Sequence, residues 1–303
     1  MKSAFIFTGQ GSQYLGMGYD LYTNSDYARS IIDNLDFGYD FKEICVKKNQ
    51  LINDTLYSQS AIFVISIILA NLLKKENIIP DKVAGLSLGE YTACCFSGIL
   101  DIEDTLSIVK KRAKIMSDVF KDKETKMVAV MFYDNDKLIS KLGHCEISNY
   151  NSYNQTIISG KAEDVKKTIL SLTKDGAKCV ELNVSGAFHS SFLYEASKKL
   201  NNELRKYTFN KGSIPLYFNY TGNEERENYV ELLTKQLYNP VKFVNIIENM
   251  LKEGIRNFYV IGVGNAPRSF IKNIADTNGV KVKIECIQSV RDIESVVGLK
   301  KGE

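Results

Sequence analysis

Gly85-Leu86-Ser87-Leu88-Gly89 sets a serine between two glycines at the G-x-S-x-G spacing of a nucleophile elbow. Asp81 to Ala84 reads as a short buried strand entered from Pro80. Leu88 to Phe96 reads as a helix with Glu90 in its first turn, where the helix dipole favours negative charge. So tight a turn requires minimal side chains two residues either side of the serine, and it presents the hydroxyl at a helix N-terminus. Ordinary strand–helix turns share this spacing, so the chemistry needs support from the rest of the chain. A serine nucleophile needs a base, and the chain has 2 histidines. His144 follows Leu142-Gly143 at a turn and reads as a loop residue. His189 lies in Ser185-Gly186-Ala187-Phe188-His189-Ser190, at a junction between two parts of the chain, and is the expected base; the alternative is a packing or capping histidine. A third group usually holds such an imidazole. Asp134, Asp136 and Glu163 fall between Ser87 and His189, but none has a distinctive setting, and no triad acid is assigned.

Gly9-Gln10-Gly11-Ser12-Gln13 follows a strand candidate, Ser3 to Thr8, and opens toward a helix carrying Leu15, Met17 and Leu21. Its backbone N–H groups could cradle a phosphate or an oxyanion; without the lysine of a P-loop, nucleotide binding is the weaker option. Arg112 sits at the edge of an apolar stripe formed by Ile102, Leu106, Val109, Ala113, Met116 and Phe120 on a helix capped by Asp101. An arginine there needs an anionic or hydrogen-bonding partner, which an internal salt bridge, a snorkelling conformation or a bound carboxylate would each supply.

The elements that must position these residues fall into three parts. Strand and helix candidates alternate to residue 125, including a buried helix from about Gln59 to Lys75. From Lys126 the elements shorten: strands at Met127 to Tyr133, Cys145 to Tyr150, Gln155 to Ser159 and Ala177 to Val184, with helices at Asn135 to Leu142 and Ala162 to Thr173. Gly143 and the turn Asn149 to Asn154 supply the breaks. This β-α-β-β-α-β order is ferredoxin-like. A longer α/β rhythm then returns, with a helix at Ser191 to Lys206, strands at Ile214 to Asn219 and Phe258 to Ile261, and a last strand at Val282 to Cys286. The first and third parts are expected to form one parallel-sheet core carrying the middle part as an insert.

Composition narrows the function classes. At 303 residues, with 44% hydrophobic and 25% charged residues, the chain can bury a sizeable core. A net charge of +3 argues against nucleic acid as the main partner. The run Ala61 to Leu73 is too short for a membrane span, and Ser3 to Thr8 reads as a core strand rather than a leader. The 6 cysteines have no metal-type spacing, so reduced thiols in a cytoplasm are expected, with no metal.

Five segments occur in order: Gly9 to Gln13, Gly85 to Glu90, Lys111-Arg112-Ala113-Lys114-Ile115-Met116, Gly186 to Ser190, and Gln236-Leu237-Tyr238-Asn239-Pro240-Val241. Together they resemble the malonyl-CoA:acyl carrier protein transacylase family, including the acyltransferases of polyketide synthases, over residues 3 to about 285. The resemblance implies an α/β-hydrolase-like parallel-sheet core (1–125 and 188–303) with an inserted ferredoxin-like domain (126–187). It implies Ser87 as the nucleophile, His189 as base and acid, and the backbone carbonyl of Gln236 as the group orienting the imidazole. The Gln10 and Leu88 N–H groups would form the oxyanion hole, and Arg112 would bind the malonyl carboxylate. Phe188 resembles the malonyl-selective form of its motif. Leu86 departs from the family, which commonly has histidine there, so acyl preference is the property most open to change.

The expected protein is therefore a cytoplasmic, monomeric, cofactor-free acyltransferase. It would move malonyl from malonyl-CoA to the phosphopantetheine of an acyl carrier protein, free-standing or within a synthase, in fatty-acid or polyketide synthesis. Neither nucleic acid nor membrane is expected as a partner. A hydrolase of the same family, a catalytically silent carrier-binding scaffold and an unrelated serine esterase are the rival readings.

Overall fold

The computed structural model describes residues 1–302. Among these residues ten strands occur in chain order: β1 (Ser3–Phe7), β2 (Lys82–Gly85), β3 (Thr125–Met131), β4 (Glu146–Ser152), β5 (Gln155–Lys161), β6 (Lys178–Glu181), β7 (Leu216–Tyr217), β8 (Glu224–Glu225), β9 (Asn257–Ile261) and β10 (Lys283–Ile287). The helices are α1 (Tyr19–Asn24), α2 (Asp26–Asn34), α3 (Thr55–Lys75), α4 (Gly89–Phe96), α5 (Ile102–Phe120), α6 (Asn135–Ser140), α7 (Ala162–Lys174), α8 (Tyr194–Leu204), α9 (Tyr229–Gln236), α10 (Phe243–Lys252), α11 (Ala266–Thr277) and α12 (Val290–Gly302).

A six-stranded sheet runs β10-β9-β1-β2-β7-β8, parallel except for the edge hairpin β7-β8. Beyond their first residues, Ser3, Lys82 and Asn257, its central strands β1, β2 and β9 are buried at every position, because both faces are covered. Phe5, Phe7, Tyr259 and Ile261 pack into the larger core with α3, α4 and α5, whereas Ala4, Ile6, Phe258 and Val260 face α10 and α11. Helix α3 is 21 residues long and apolar enough to cross a membrane by length and composition, yet every residue from Ser58 to Ala70 is buried in this core. A helix apolar all round must be covered on all sides. Asp54 starts it by accepting a hydrogen bond from Leu56 N–H, so it begins four residues before the expected Gln59.

The second sheet is antiparallel, in the order β4-β5-β3-β6. With α6 after β3 and α7 after β5, this is the split β-α-β arrangement. Alternation divides its two faces: Val128, Val130 and Ile158 pack against α7, while Met127, Ala129 and Ile157 turn toward the larger core. It is stitched to the rest of the chain where Tyr150 N–H donates to the Val241 carbonyl and Val241 N–H donates to the Ser148 carbonyl, each at 2.9 Å.

Several elements differ from the sequence expectation. Gly16, at φ 77°, delays the first helix to Tyr19. The strand expected to end at Tyr150 runs on to Ser152, leaving only Tyr153-Asn154 as the turn. Strand β7 has two residues instead of six, and β8 and α12 were not expected. The shortening at β7 has a local cause: Phe218 N–H bonds to the Asn223 carbonyl, closing the chain into the β7-β8 hairpin.

Helix α4 lies almost against β1, and Gly89 is the contact. A Cβ on Gly89 would fall 2.3 Å from the Phe7 carbonyl oxygen. Gly89→Ala should therefore force strand and helix apart, destabilising the fold by about 1–3 kcal/mol or more. This would read as a lowered urea midpoint at unchanged m-value; an unaltered midpoint would show that the layers have slack.

Candidate active site

Strand β2 ends at Gly85, and the chain reverses through Leu86 and Ser87 into α4. Ser87 has φ 55°, a left-handed conformation that a side-chain-bearing residue rarely adopts. A Cβ on Gly85 would overlap the Gly89 carbonyl group at 1.9–2.0 Å, so the glycine spacing follows from the closeness of the turn. Opposite, His189 also has positive φ, 56°, in a turn where Ser190 Oγ donates to the Ala187 carbonyl at 2.6 Å. The two strained residues meet: Ser87 Oγ lies 2.7 Å from His189 Nε2.

The imidazole's other nitrogen, Nδ1, is 2.8 Å from the Gln236 carbonyl oxygen. A carbonyl only accepts, so Nδ1 carries the proton and Nε2 is free to take one from the serine. No carboxylate is needed for this. Asp134, Asp136 and Glu163 are exposed, and Asp134 caps α6; His144 is exposed in its turn. Burial first, and the Arg112 cation second, push His189 down to about 4, against the opposing effect of the Gln236 carbonyl. The ring is thus neutral and competent as a base near neutral pH.

Arg112 faces inward on α5, only 1% exposed. Nη1 donates to Gln59 Oε1 at 2.7 Å, and Nη2 approaches Ser87 Oγ at 3.2 Å and Gln236 Oε1 at 3.4 Å. Its carbon sits 5.2 Å from the centre of the Tyr91 ring. Among the described residues it forms no ion pair with Asp or Glu, and Nε has no partner. Burial lowers its pKa. The neighbouring Glu90 is fully buried and is pushed up to about 8 by that burial, so it does not supply a full counter-charge at neutral pH. A cation is therefore held beside the serine hydroxyl with no ion pair among the described residues.

These groups open into a cavity of about 310 Å³ between the two sheets. Leu86, Phe188 and Gln10 line it with Ser87, His189 and Arg112. The Gln10 loop is fixed from α3: Gln10 Nε2 donates to Thr55 Oγ1 at 3.0 Å, and Gln59 Nε2 donates to Gln10 Oε1 at 3.2 Å. Among the described residues, neither the Gln10 nor the Leu88 backbone N–H meets an acceptor. Both suit an oxyanion formed at the serine.

All the sequence-expected groups thus gather around this elbow. Gln59, Asn149, Asn151, Gln155 and Asn219 were not expected. Gln59 has a signal in hindsight, as an amide inside an otherwise apolar helix. The alternation of Asn149 and Asn151 marks one strand face, but the surrounding run of polar residues resembles a turn. If His189 is the base, labelling of Ser87 by a fluorophosphonate should keep its rate from about pH 8 to about pH 5, because the neutral ring persists there. The rate should halve near the pKa of about 4; a half-point near the ordinary 6.5 would mean a hydrated, unperturbed ring.

The acyl transferase domain model matches residues 4–277. The malonyl CoA-acyl carrier protein transacylase of Bacillus subtilis (strain 168) is 31% identical over 291 residues, spanning 90% of each chain. The solved malonyl CoA-acyl carrier protein transacylase of Clostridium perfringens superposes with a TM-score of 0.92 at 32% identity, covering 100% of this chain and 98% of that one. A structure of a type II PKS acyl-carrier protein in complex with its malonyl-transacylase matches with a TM-score of 0.93 at 25% identity, over 99% of this chain and 100% of that one. Motif order, the paired parallel and antiparallel sheets and these matches agree: the chain belongs to the malonyl CoA-acyl carrier protein transacylases of the acyl transferase domain family.

Proposed function

We propose that this protein transfers a malonyl group from malonyl-CoA to the phosphopantetheine thiol of an acyl carrier protein through a malonyl ester on Ser87. The observation that carries the reading is Arg112: a buried guanidinium with no ion-paired carboxylate among the described residues, 3.2 Å from the serine oxygen. Leaving a buried cation unpaired is costly, so a site that maintains one is suited to an incoming anion. Malonyl is short and ends in a carboxylate, which a guanidinium can grip through two parallel bonds.

In this reading His189 Nε2 takes the Ser87 proton as Oγ attacks the thioester carbonyl. The Gln10 and Leu88 N–H groups receive the developing oxyanion, and the imidazolium returns its proton to the departing CoA sulfur. The carrier's thiol then gives its proton to His189 and attacks the serine ester, and Ser87 leaves reprotonated. No cofactor or metal enters either half. Leu86 and Phe188 border the acyl end of the cavity, where an apolar Leu86 shapes the preference. The core is read as α/β-hydrolase-like, with residues 126–187 as an insert that shields the ester from water. Six free thiols suit a reducing cytoplasm, and the enzyme is taken to act as a monomer.

Incubation with labelled malonyl-CoA, with and without holo-acyl carrier protein, should put label first on Ser87 and then on the carrier. Unlabelled enzyme and carrier would sink the transferase reading, and rapid release of free malonate would replace it with the hydrolase. Arg112→Ala should reduce malonyl kcat/KM on the order of 10- to 100-fold, for a charge-assisted bond of about 1.5–3 kcal/mol. Activity toward acetyl-CoA should rise relative to malonyl; an unchanged ratio would remove Arg112 from the acyl site.

A further inference from the structure

We infer that Asn219 is a positioning residue for the nucleophile, its side-chain amide standing in for the missing strand rung beside the elbow. The inference rests on Ser87 being the nucleophile. On one side of β2 the ladder continues into the turn, since Leu86 N–H donates to the Phe7 carbonyl at 2.9 Å. On the other side β7 ends at Tyr217, and the chain leaves for its hairpin. Gly85 C=O and Ser87 N–H would be left without a neighbour there. Asn219 fills both: Nδ2 donates to the Gly85 carbonyl at 2.6 Å, and Oδ1 accepts from Ser87 N–H at 2.7 Å. One side-chain amide thus offers the donor–acceptor pair of a peptide group, in the place a strand would have offered it.

Asn219 is itself immobilised. Its side chain is fully buried, its N–H donates to Glu90 Oε2 in the first turn of α4, and its carbonyl accepts from Lys242 N–H at 2.9 Å. The elbow's own helix therefore grips the residue that grips the elbow. Two consequences follow for catalysis. The left-handed Ser87, a conformation sterically disfavoured for a residue with a side chain, is tied down at its own N–H. That N–H is also occupied, so the donors left for an oxyanion are those of Leu88 and Gln10. Gln236 completes the grip from the opposite direction, its Nε2 donating to the Ser87 carbonyl at 2.7 Å.

The test compares Asn219→Ala, Asn219→Ser and Asn219→Asp, with all rates expressed per active site titrated by a fluorophosphonate, so that misfolded protein cancels. Asn219→Ala and Asn219→Ser are expected to lower kcat for malonyl transfer 10- to 100-fold, with KM for malonyl-CoA within about threefold, because the acyl group's own contacts are untouched. Asn219→Asp keeps the acceptor but, when ionised, aims a negative oxygen at the Gly85 carbonyl. Protonation restores the donor, so its kcat should climb toward wild type as pH falls from about 8 to about 5, a rise the wild-type enzyme lacks. Unchanged kcat per titrated site in the alanine and serine variants, with only melting temperature or titratable fraction reduced, would reduce Asn219 to a structural residue and overturn the inference. An aspartate variant with a wild-type pH profile would do the same. Wild-type protein whose Ser87 takes up neither malonyl nor fluorophosphonate would instead refute the nucleophile reading and the inference with it.

Discussion

Backbone approach at the elbow governs this molecule. The chain reverses between β2 and α4 so closely that Gly85 and the Gly89 carbonyl leave no room for a Cβ between them, and Gly89 rests on the Phe7 carbonyl. From that contact follow the left-handed Ser87, the exposure of its hydroxyl at a helix N-terminus, and the free N–H of Leu88 beside it. The surrounding layers hold this geometry in place. Helix α3 braces the Gln10 loop from one side, and the Asn219 and Gln236 side chains bind the Ser87 peptide groups from others.

Electrostatics complete what the backbone arranges. Arg112, His189 and Glu90 are buried within one small region, and each responds to the same loss of water. Burial lowers the arginine and histidine and raises the glutamate, so the ring is neutral and Glu90 is largely protonated near neutral pH. Only the guanidinium keeps its charge, because its ordinary pKa is so high. The same cation that we propose receives a carboxylated acyl group also helps keep His189 unprotonated. In that reading one side chain couples anion recognition to base strength.

Part of this was readable from residue order. The elbow's glycines, the scarcity of histidine and the position of Arg112 on an apolar stripe marked the chemistry, and the shorter β-α-β-β-α-β order from Lys126 marked the second sheet. Asn219 was not readable, since an asparagine after a short strand reads as a turn residue, and its role exists only where β7 ends beside β2. Asn151 reads as a turn residue because its polar run matches turn composition, and Asn149 falls where the expected strand and turn overlap; β4 takes in both, with Asn149 paired to Ile157 of β5 and Asn151 at a register shift. Composition reports what a segment can do locally, not which edge it will meet.

Residue order carries the local constraints: where a backbone must bend, which helices must be covered and which hydroxyl and imidazole are available. Packing of the layers settled which groups face one another. It set the Gln236 carbonyl on the imidazole, as the resemblance implied, left Arg112 without an ion pair among the described residues, and placed Asn219 beside the elbow where a strand rung is missing. The division has a physical basis. Bends and amphipathic faces arise from neighbours in the chain, whereas a hydrogen bond between residues 132 positions apart, such as that from Ser87 to Asn219, forms only after the layers have packed.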